Sequence, residues 1–309
     1  MFRTRLLSGV LLVIIALATI MAGDGILAVI LCLVSLIAYR ELIRACGVHT
    51  EGIEIQAEHT EARGTTFWVV HRGKYSLNAP EAVGMVMTVV YYGLLFMTLY
   101  VDGEQADVLA KVYPVIVIAV VLTMIVFLFT YVFTFPRYKA QQIMASMFSW
   151  LYGPVMLSFI YLTREGFAHG KYLVWFVFLC SWGSDTCAYA VGVLFGKHKM
   201  TPKLSPKKSV EGAVGGILGA ALLFVLYTHF AVNRFSEAAL PLSLVAALGA
   251  AGAVVSMIGD LAASAIKRDH DIKDYGKLIP GHGGVMDRFD SVIFTAPMIY
   301  FLAILLIRA

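Results

Sequence analysis

The chain has 309 residues, of which 60% are hydrophobic and 14% charged, where an ordinary soluble domain carries about a quarter charged residues. That composition, with a mean hydropathy of +0.81, argues against a soluble globular domain and excludes the disordered, collagenous and disulfide-stapled classes. The net charge of +4 is too slight an excess to argue for a nucleic-acid partner, so the positions of the charges matter more than their sum.

Taken in chain order, nine apolar runs are long enough, or nearly so, for a bilayer core that needs about 20 residues per helix. They cover residues 6–22, 25–39, 82–101, 112–135, 143–162, 172–195, 212–232, 240–263 and 289–307. The expected fold class is all-α: a polytopic integral membrane protein of about nine transmembrane helices, forming a single membrane domain over 1–309. A membrane barrel would show weak alternation over about 10 residues per strand, which these solid runs do not. The first run follows Arg3 and Arg5 and exceeds the roughly 7–15 apolar residues of a signal peptide, so it is expected to remain in the protein. The second run is short, and the sixth and eighth carry Gly and polar residues.

Alternating the connections from an internal N-terminus puts 19 of the 24 Lys and Arg on one side. The positive-inside rule then sets the N-terminus in the cytoplasm and the C-terminus outside, in a multi-pass protein of the cell membrane. Residues 47–80 form the one sizeable polar segment of the less specific half, 1–179. Their Glu51, Glu54, Glu58, Glu61, His49, His59 and His71 show no tight metal-ligand spacing, so a solvated cytoplasmic loop or short surface helix is expected. The four cysteines form no CxxC pair and read as small packing residues.

Candidate chemistry concentrates in residues 180–295. Acidic groups at membrane depth cost a few kcal/mol on insertion scales and mark functional sites. Asp185 lies in the sixth run and Asp260 near the end of the eighth. If that helix continues, Asp260, Ser264 and Lys267 share one face, with Arg268 beside them. Gly281, Gly283 and Gly284 around His282 let backbone approach a ligand after Pro280, and Asp287, Arg288 and Asp290 then open the last span, with the two acids in its first helical turn. Carboxylates interleaved with cations suit Mg²⁺ and phosphate groups, hence phosphoryl or nucleotidyl transfer on the cytoplasmic face. In the other cationic loop Ser209 is placed as a helix N-cap, with Lys207 and Lys208 at a helix start that favours phosphate.

Residues 264–290, containing Ser264-Ala-Ile-Lys267-Arg268, Lys273-Asp-Tyr-Gly276 and Ile279-Pro-Gly-His-Gly-Gly-Val-Met-Asp-Arg-Phe-Asp290, resemble the signature of the phosphatidate cytidylyltransferase (CDP-diacylglycerol synthase) family. Ser184-Asp185-Thr186 and Ser205-Pro-Lys-Lys-Ser209 with Glu211-Gly212 are similar to its other two blocks. The resemblance implies transfer of CMP from CTP to phosphatidic acid, with loss of pyrophosphate, in phospholipid biosynthesis. It also implies Mg²⁺ at Asp260 and Asp287, with K⁺ as a second ion. Ser264, Lys267, Arg268, Arg288 and Asp290 would line the site, and Lys207, Lys208 and Ser209 would bind phosphates. By its own chemistry Asp185 is a further carboxylate, either supporting the site from behind or holding a second ion, and His282 between Gly281, Gly283 and Gly284 either donates to substrate phosphate or serves a backbone turn. Partners expected are CTP, phosphatidic acid, the bilayer and a second copy of the chain. A secondary transporter would instead show two matching halves, and no repeat is visible. An enzyme of similar plan acting on another lipid is the nearer rival.

Overall fold

In a computed structural model, residues 13–48, 60–62, 65–67, 77–101, 108–235, 241–279 and 283–308 are described. The expected residues Arg3, Arg5, Pro280, Gly281 and His282, and most of segment 47–80, lie outside them. Helices dominate: α1 (Val13–Ala22), α2 (Asp24–Ala45), α3 (Ala79–Val101), α4 (Val108–Thr134), α5 (Ala140–Trp150), α6 (Met156–Glu165), α7 (Gly170–Phe178) and α8 (Ser184–Phe195). Then follow α9 (Val210–Tyr227), α10 (Asn233–Phe235), α11 (Leu242–Asp269), α12 (Met286–Phe289) and α13 (Val292–Arg308). Short π-helical stretches join α5 to α6, α7 to α8 and α9 to α10 without ending the rod.

Counting those joined rods as single helices, seven described segments are long and apolar enough to cross a membrane. The first and last expected runs appear as the shorter apolar helices Val13–Ala22 and Val292–Leu305. Their outward faces are apolar as well: on α4, Ile118, Phe129 and Val132 are 62%, 58% and 67% exposed. Water would not tolerate apolar surface on that scale, whereas lipid matches it. The architecture is that of a polytopic helical membrane protein.

Three boundaries differ from the sequence reading. Helix α2 does not stop near residue 39 but runs through Arg40, Glu41 and Arg44 to Ala45, because these charges find partners. Arg40 Nε donates to Glu81 at 2.7 Å, and Glu41 is bound from another part of the chain. The last span does not open at residue 289: the turn α12 comes first, and the chain breaks at Asp290 and Ser291 before α13. Asp290 Oδ1 accepts the Ser291 N–H at 2.8 Å, which satisfies locally a donor that a continuous helix would use. Within segment 47–80, β1 (Thr60–Ala62) and β2 (Thr65–Phe67) pair antiparallel, a hairpin where a loop or short surface helix was expected.

Packing explains why α11 can carry polar groups. Its buried stripe Val245, Gly249, Gly252, Ser256, Gly259, Ala263 and Lys267 follows helical spacing and is mostly small. Small residues let helix backbones approach closely in lipid, where no hydrophobic force drives them together. A Cβ at Gly249 would stand 2.8 Å from Phe224 of α9, and one at Gly259 would stand 2.9 Å from Phe294 of α13. Within the same core, Tyr39, Tyr91 and Trp150 are fully buried aromatics. Both of these Tyr hydroxyls are satisfied, Tyr39 donating to Pro80 O at 2.9 Å and Tyr91 meeting Ser158 Oγ at 2.8 Å.

Candidate active site

The basic loop folds into a hairpin of β3 (Lys199–Thr201) and β4 (Ser205–Ser209), with Lys199 opposite Ser209 and Thr201 opposite Ser205. Ser209 ends β4 and caps α9: its Oγ accepts the Gly212 N–H at 3.1 Å, as its place in the sequence predicts. Glu211, in the first turn of α9, accepts the N–H groups of Lys197 and His198 and meets His198 Nδ1 at 2.6 Å. The hairpin is thereby tied to the helix at both ends, which fixes where Lys207 and Lys208 emerge.

Helix α11 is continuous from Asp260 to Lys267, so its polar face forms as the spacing implies. Lys208 Nζ pairs with Asp260 Oδ2, and Ser264 Oγ lies 3.5 Å from Asp260 Oδ1. Lys267 Nζ donates to Asp287 Oδ1 at 2.9 Å. The other oxygen of Asp287 accepts the Tyr275 N–H at 2.8 Å and the Gly284 N–H at 3.0 Å. Asp287 is 6% exposed and Lys267 9%, so the pair is largely dry. Lys267 also sits 5.3 Å from the Tyr275 ring centroid, a cation–π contact. Tyr275 donates its hydroxyl to Ala263 O at 2.9 Å, and burial pushes its phenol above the usual range, so it stays a donor.

These groups converge on a cavity of about 860 Å³. Its lining includes Asp185, Lys207, Lys208, Ser209, Asp260, Lys267, Asp287, Arg288 and Asp290, all singled out from sequence. Asp185 enters from α8, immediately after the π-helical stretch, a feature frequent at functional sites. Its Oδ2 accepts from Ser291 Oγ at 3.4 Å. Asp185, Asp260 and Asp290 thus bring three carboxylates from three segments to one cavity. The lining also includes apolar side chains, Val13 and Ala16 of α1 and Tyr189 and Val193 of α8.

Two expected residues stand elsewhere. Arg268 is exposed and donates to Ile272 O at 3.1 Å, and Ser264 lies under Asp260; neither lines the cavity. Gly283 has φ +88°, a region L side chains rarely adopt, and its O accepts the Ile279 N–H at 2.9 Å. Gly284 is pressed against a protein carboxylate: a Cβ there would stand 2.5 Å from both oxygens of Glu41. Sequence reading passed over Glu41, Trp182, whose Nε1 donates to Arg288 O at 3.3 Å, and the lining residue Asp274. The signal for Glu41 was an acid one helical turn after apolar Ala38 and directly followed by apolar Leu42 and Ile43.

Residues 3–306 match the model of the Cytidylyltransferase family. Curated relatives named phosphatidate cytidylyltransferase include one from Haemophilus influenzae, 36% identical over 129 residues, 42% of this chain and 44% of the relative. A Synechocystis protein of that name is 40% identical over 143 residues, 46% and 47% of the two chains. One from Bacillus subtilis is 32% identical over 134 residues, 43% and 48%. The matched segments span about half the length of these relatives. With a family model aligned along nearly all of its length, the chain belongs to the cytidylyltransferase family.

Proposed function

We propose that the protein transfers CMP from CTP to phosphatidic acid, giving CDP-diacylglycerol and pyrophosphate. The observation that carries this reading is the cavity lined by Lys207 and Lys208 of the hairpin, by the carboxylates of α11 and the 287–290 turn, and by apolar residues of α1 and α8. Relatives that bear the name phosphatidate cytidylyltransferase support the substrate pair.

The lipid enters along Val13, Ala16, Tyr189 and Val193 with its phosphate at the polar floor, while CTP comes from the hairpin side. Lys207 and Lys208 take nucleotide phosphates and stabilise the departing pyrophosphate. A phosphomonoester has a second pKa near 6, so at neutral pH it is already an anionic nucleophile and needs no strong base. Its oxygen forms a bond to the α-phosphorus of CTP in line, the bond to the bridging oxygen breaks, and pyrophosphate leaves with that electron pair. Arg288 and Lys267 offset charge on the equatorial oxygens.

The donor set fits a divalent cation. Five carboxylates line the cavity (Asp185, Asp260, Asp274, Asp287, Asp290) against four cations (Lys207, Lys208, Lys267, Arg288), an excess of acid where two polyanions must bind. Among the described residues no group of three Asp, Glu, His or Cys stands together as a ready-made metal site, so the ion would complete its shell with waters and substrate oxygens, as Mg²⁺ does. Asp260 and Asp287 would hold it, with Asp185 a further carboxylate and K⁺ a second ion. When bound, it would neutralise phosphate oxygens and polarise the α-phosphorus.

Nine crossings with the N-terminus cytoplasmic, the C-terminus outside and the cavity facing the cytoplasm of the cell membrane belong to the same reading. They are supported by the seven long apolar helices, the two shorter ones and the charge asymmetry. Assembly as a homodimer is part of it and is tested by cross-linking in the membrane. The decisive assay supplies purified protein with labelled CTP, phosphatidic acid and Mg²⁺. Labelled liponucleotide with stoichiometric pyrophosphate is expected, and a folded protein that makes neither overturns the reading.

A further inference from the structure

Glu41 is a buried acid in the half of the chain whose sequence carries no motif. It stands at the end of α2, 9% exposed, and it does not line the cavity. Its Oε1 accepts the Val285 N–H at 3.1 Å and its Oε2 the Met286 N–H at 2.8 Å. These donors lie more than 240 residues away in sequence and open the turn that presents Asp287 and Arg288. Two glycines leave room for the carboxylate: a Cβ at Gly284 would stand 2.5 Å from both oxygens, and one at Gly276 would collide with Oε1.

The contacts run in series toward the cavity. Glu41 fixes Val285 and Met286, the adjoining Gly284 N–H binds Asp287 Oδ2, and Asp287 Oδ1 holds Lys267. Burying a carboxylate is costly unless it is hydrogen-bonded, and a helix packed only for stability would do better with an apolar residue here. Arg40 and Arg44, its nearest cations in sequence, go to Glu81 instead. Glu41 is thus committed to two backbone donors of the turn and to no side-chain cation in the described contacts.

We propose that Glu41 is a positioning residue for the transferase site, a strut from α2 that sets the place of the 284–287 turn and, through it, of Asp287 and Lys267. This rests on the reading of the cavity as the CMP-transfer site. A carboxylate supplies two acceptors to two diverging N–H groups. An amide would supply one acceptor and turn its NH₂ toward the other donor, so Glu41→Gln is the sharp probe.

The test measures kcat, KM for CTP and amide hydrogen exchange across 284–287 in detergent for wild type, Glu41→Gln, Glu41→Asp and Gly284→Ala. Misplacement of reacting groups by about 1 Å can cost about 100-fold in rate. Glu41→Gln and Gly284→Ala are expected to lower kcat about 10- to 100-fold with KM for CTP within about threefold, and to speed exchange at 284–287. Glu41→Asp, which keeps the carboxylate, retains more activity than Glu41→Gln. Three results overturn the proposal: a Glu41→Gln kcat within twofold of wild type, a kcat loss without faster exchange at 284–287, or variants that fail to fold, since a strut confined to one turn leaves the bundle standing. If wild type makes no liponucleotide yet exchange still rises in Glu41→Gln, the strut stands and only the reaction assignment falls.

Discussion

Asp287 accepts three hydrogen bonds with two oxygens, one from the Lys267 ammonium and two from backbone. Replacing it by Asn leaves a largely buried ammonium without its counter-charge, and breaking such a pair costs about 3 kcal/mol. Asp287→Asn should therefore abolish turnover and also lower the melting temperature in detergent. Adding Lys267→Met should recover part of the melting loss and none of the turnover, which separates chemistry from packing. Lys208 is a different case, because its pair with Asp260 is partly exposed. Lys208→Gln should change stability by less than about 1 kcal/mol while raising KM for CTP, as steady-state kinetics beside a melting curve will show. Residue types and spacing singled out Asp260, Lys208 and Asp287 as candidates for phosphate and metal chemistry. They did not reveal that Asp287 is shared with Lys267 and two N–H groups, because those partners meet only when segments 267–275 and 283–287 close on each other.

At the scale of the element, α11 decides where the acids stand. Gly259 precedes Asp260 and packs against α13, where an added Cβ would meet Phe294 at 2.9 Å and Asp290 O at 3.0 Å. Overpacking of this kind costs about 1–3 kcal/mol. Gly259→Val should lower melting by that order and reduce kcat, since it separates Asp260 from Asp290, whereas Gly93→Ala, with nothing within 4 Å of the added Cβ, should do neither. The cap of α9 gives a milder test. Ser209→Ala removes the acceptor for Gly212 N–H and should cost about 1 kcal/mol, and Ser209→Thr should restore it in thermal melts. Helix α11 and the cap were readable because helical spacing and capping are local. The extra turn of α2 was not: charges at 40, 41 and 44 look like an end to a membrane helix until Glu81 and the 285–286 N–H groups neutralise them.

For the whole molecule, the charge asymmetry and the helix order make one orientation testable. With the four native cysteines replaced, Lys203→Cys in the β3–β4 turn should react with an impermeant thiol reagent only in inside-out vesicles, and Arg234→Cys only in right-side-out ones; the reverse pattern would invert the topology. Length, hydropathy and the positions of Lys and Arg determined that the chain is predominantly helical and made for a bilayer, and its motifs singled out 180–295 as the candidate catalytic region. These are properties of local composition, which act along the chain without reference to the rest of it. Only the tertiary structure decided that α1 and α8 contribute apolar residues to the cavity that the acids line, that Arg268 turns away, and that Glu41 reaches across more than 240 residues to accept the Val285 and Met286 N–H groups. The physical reason is that a buried polar group must find its partner wherever the packed helices bring one, and sequence distance does not enter that search.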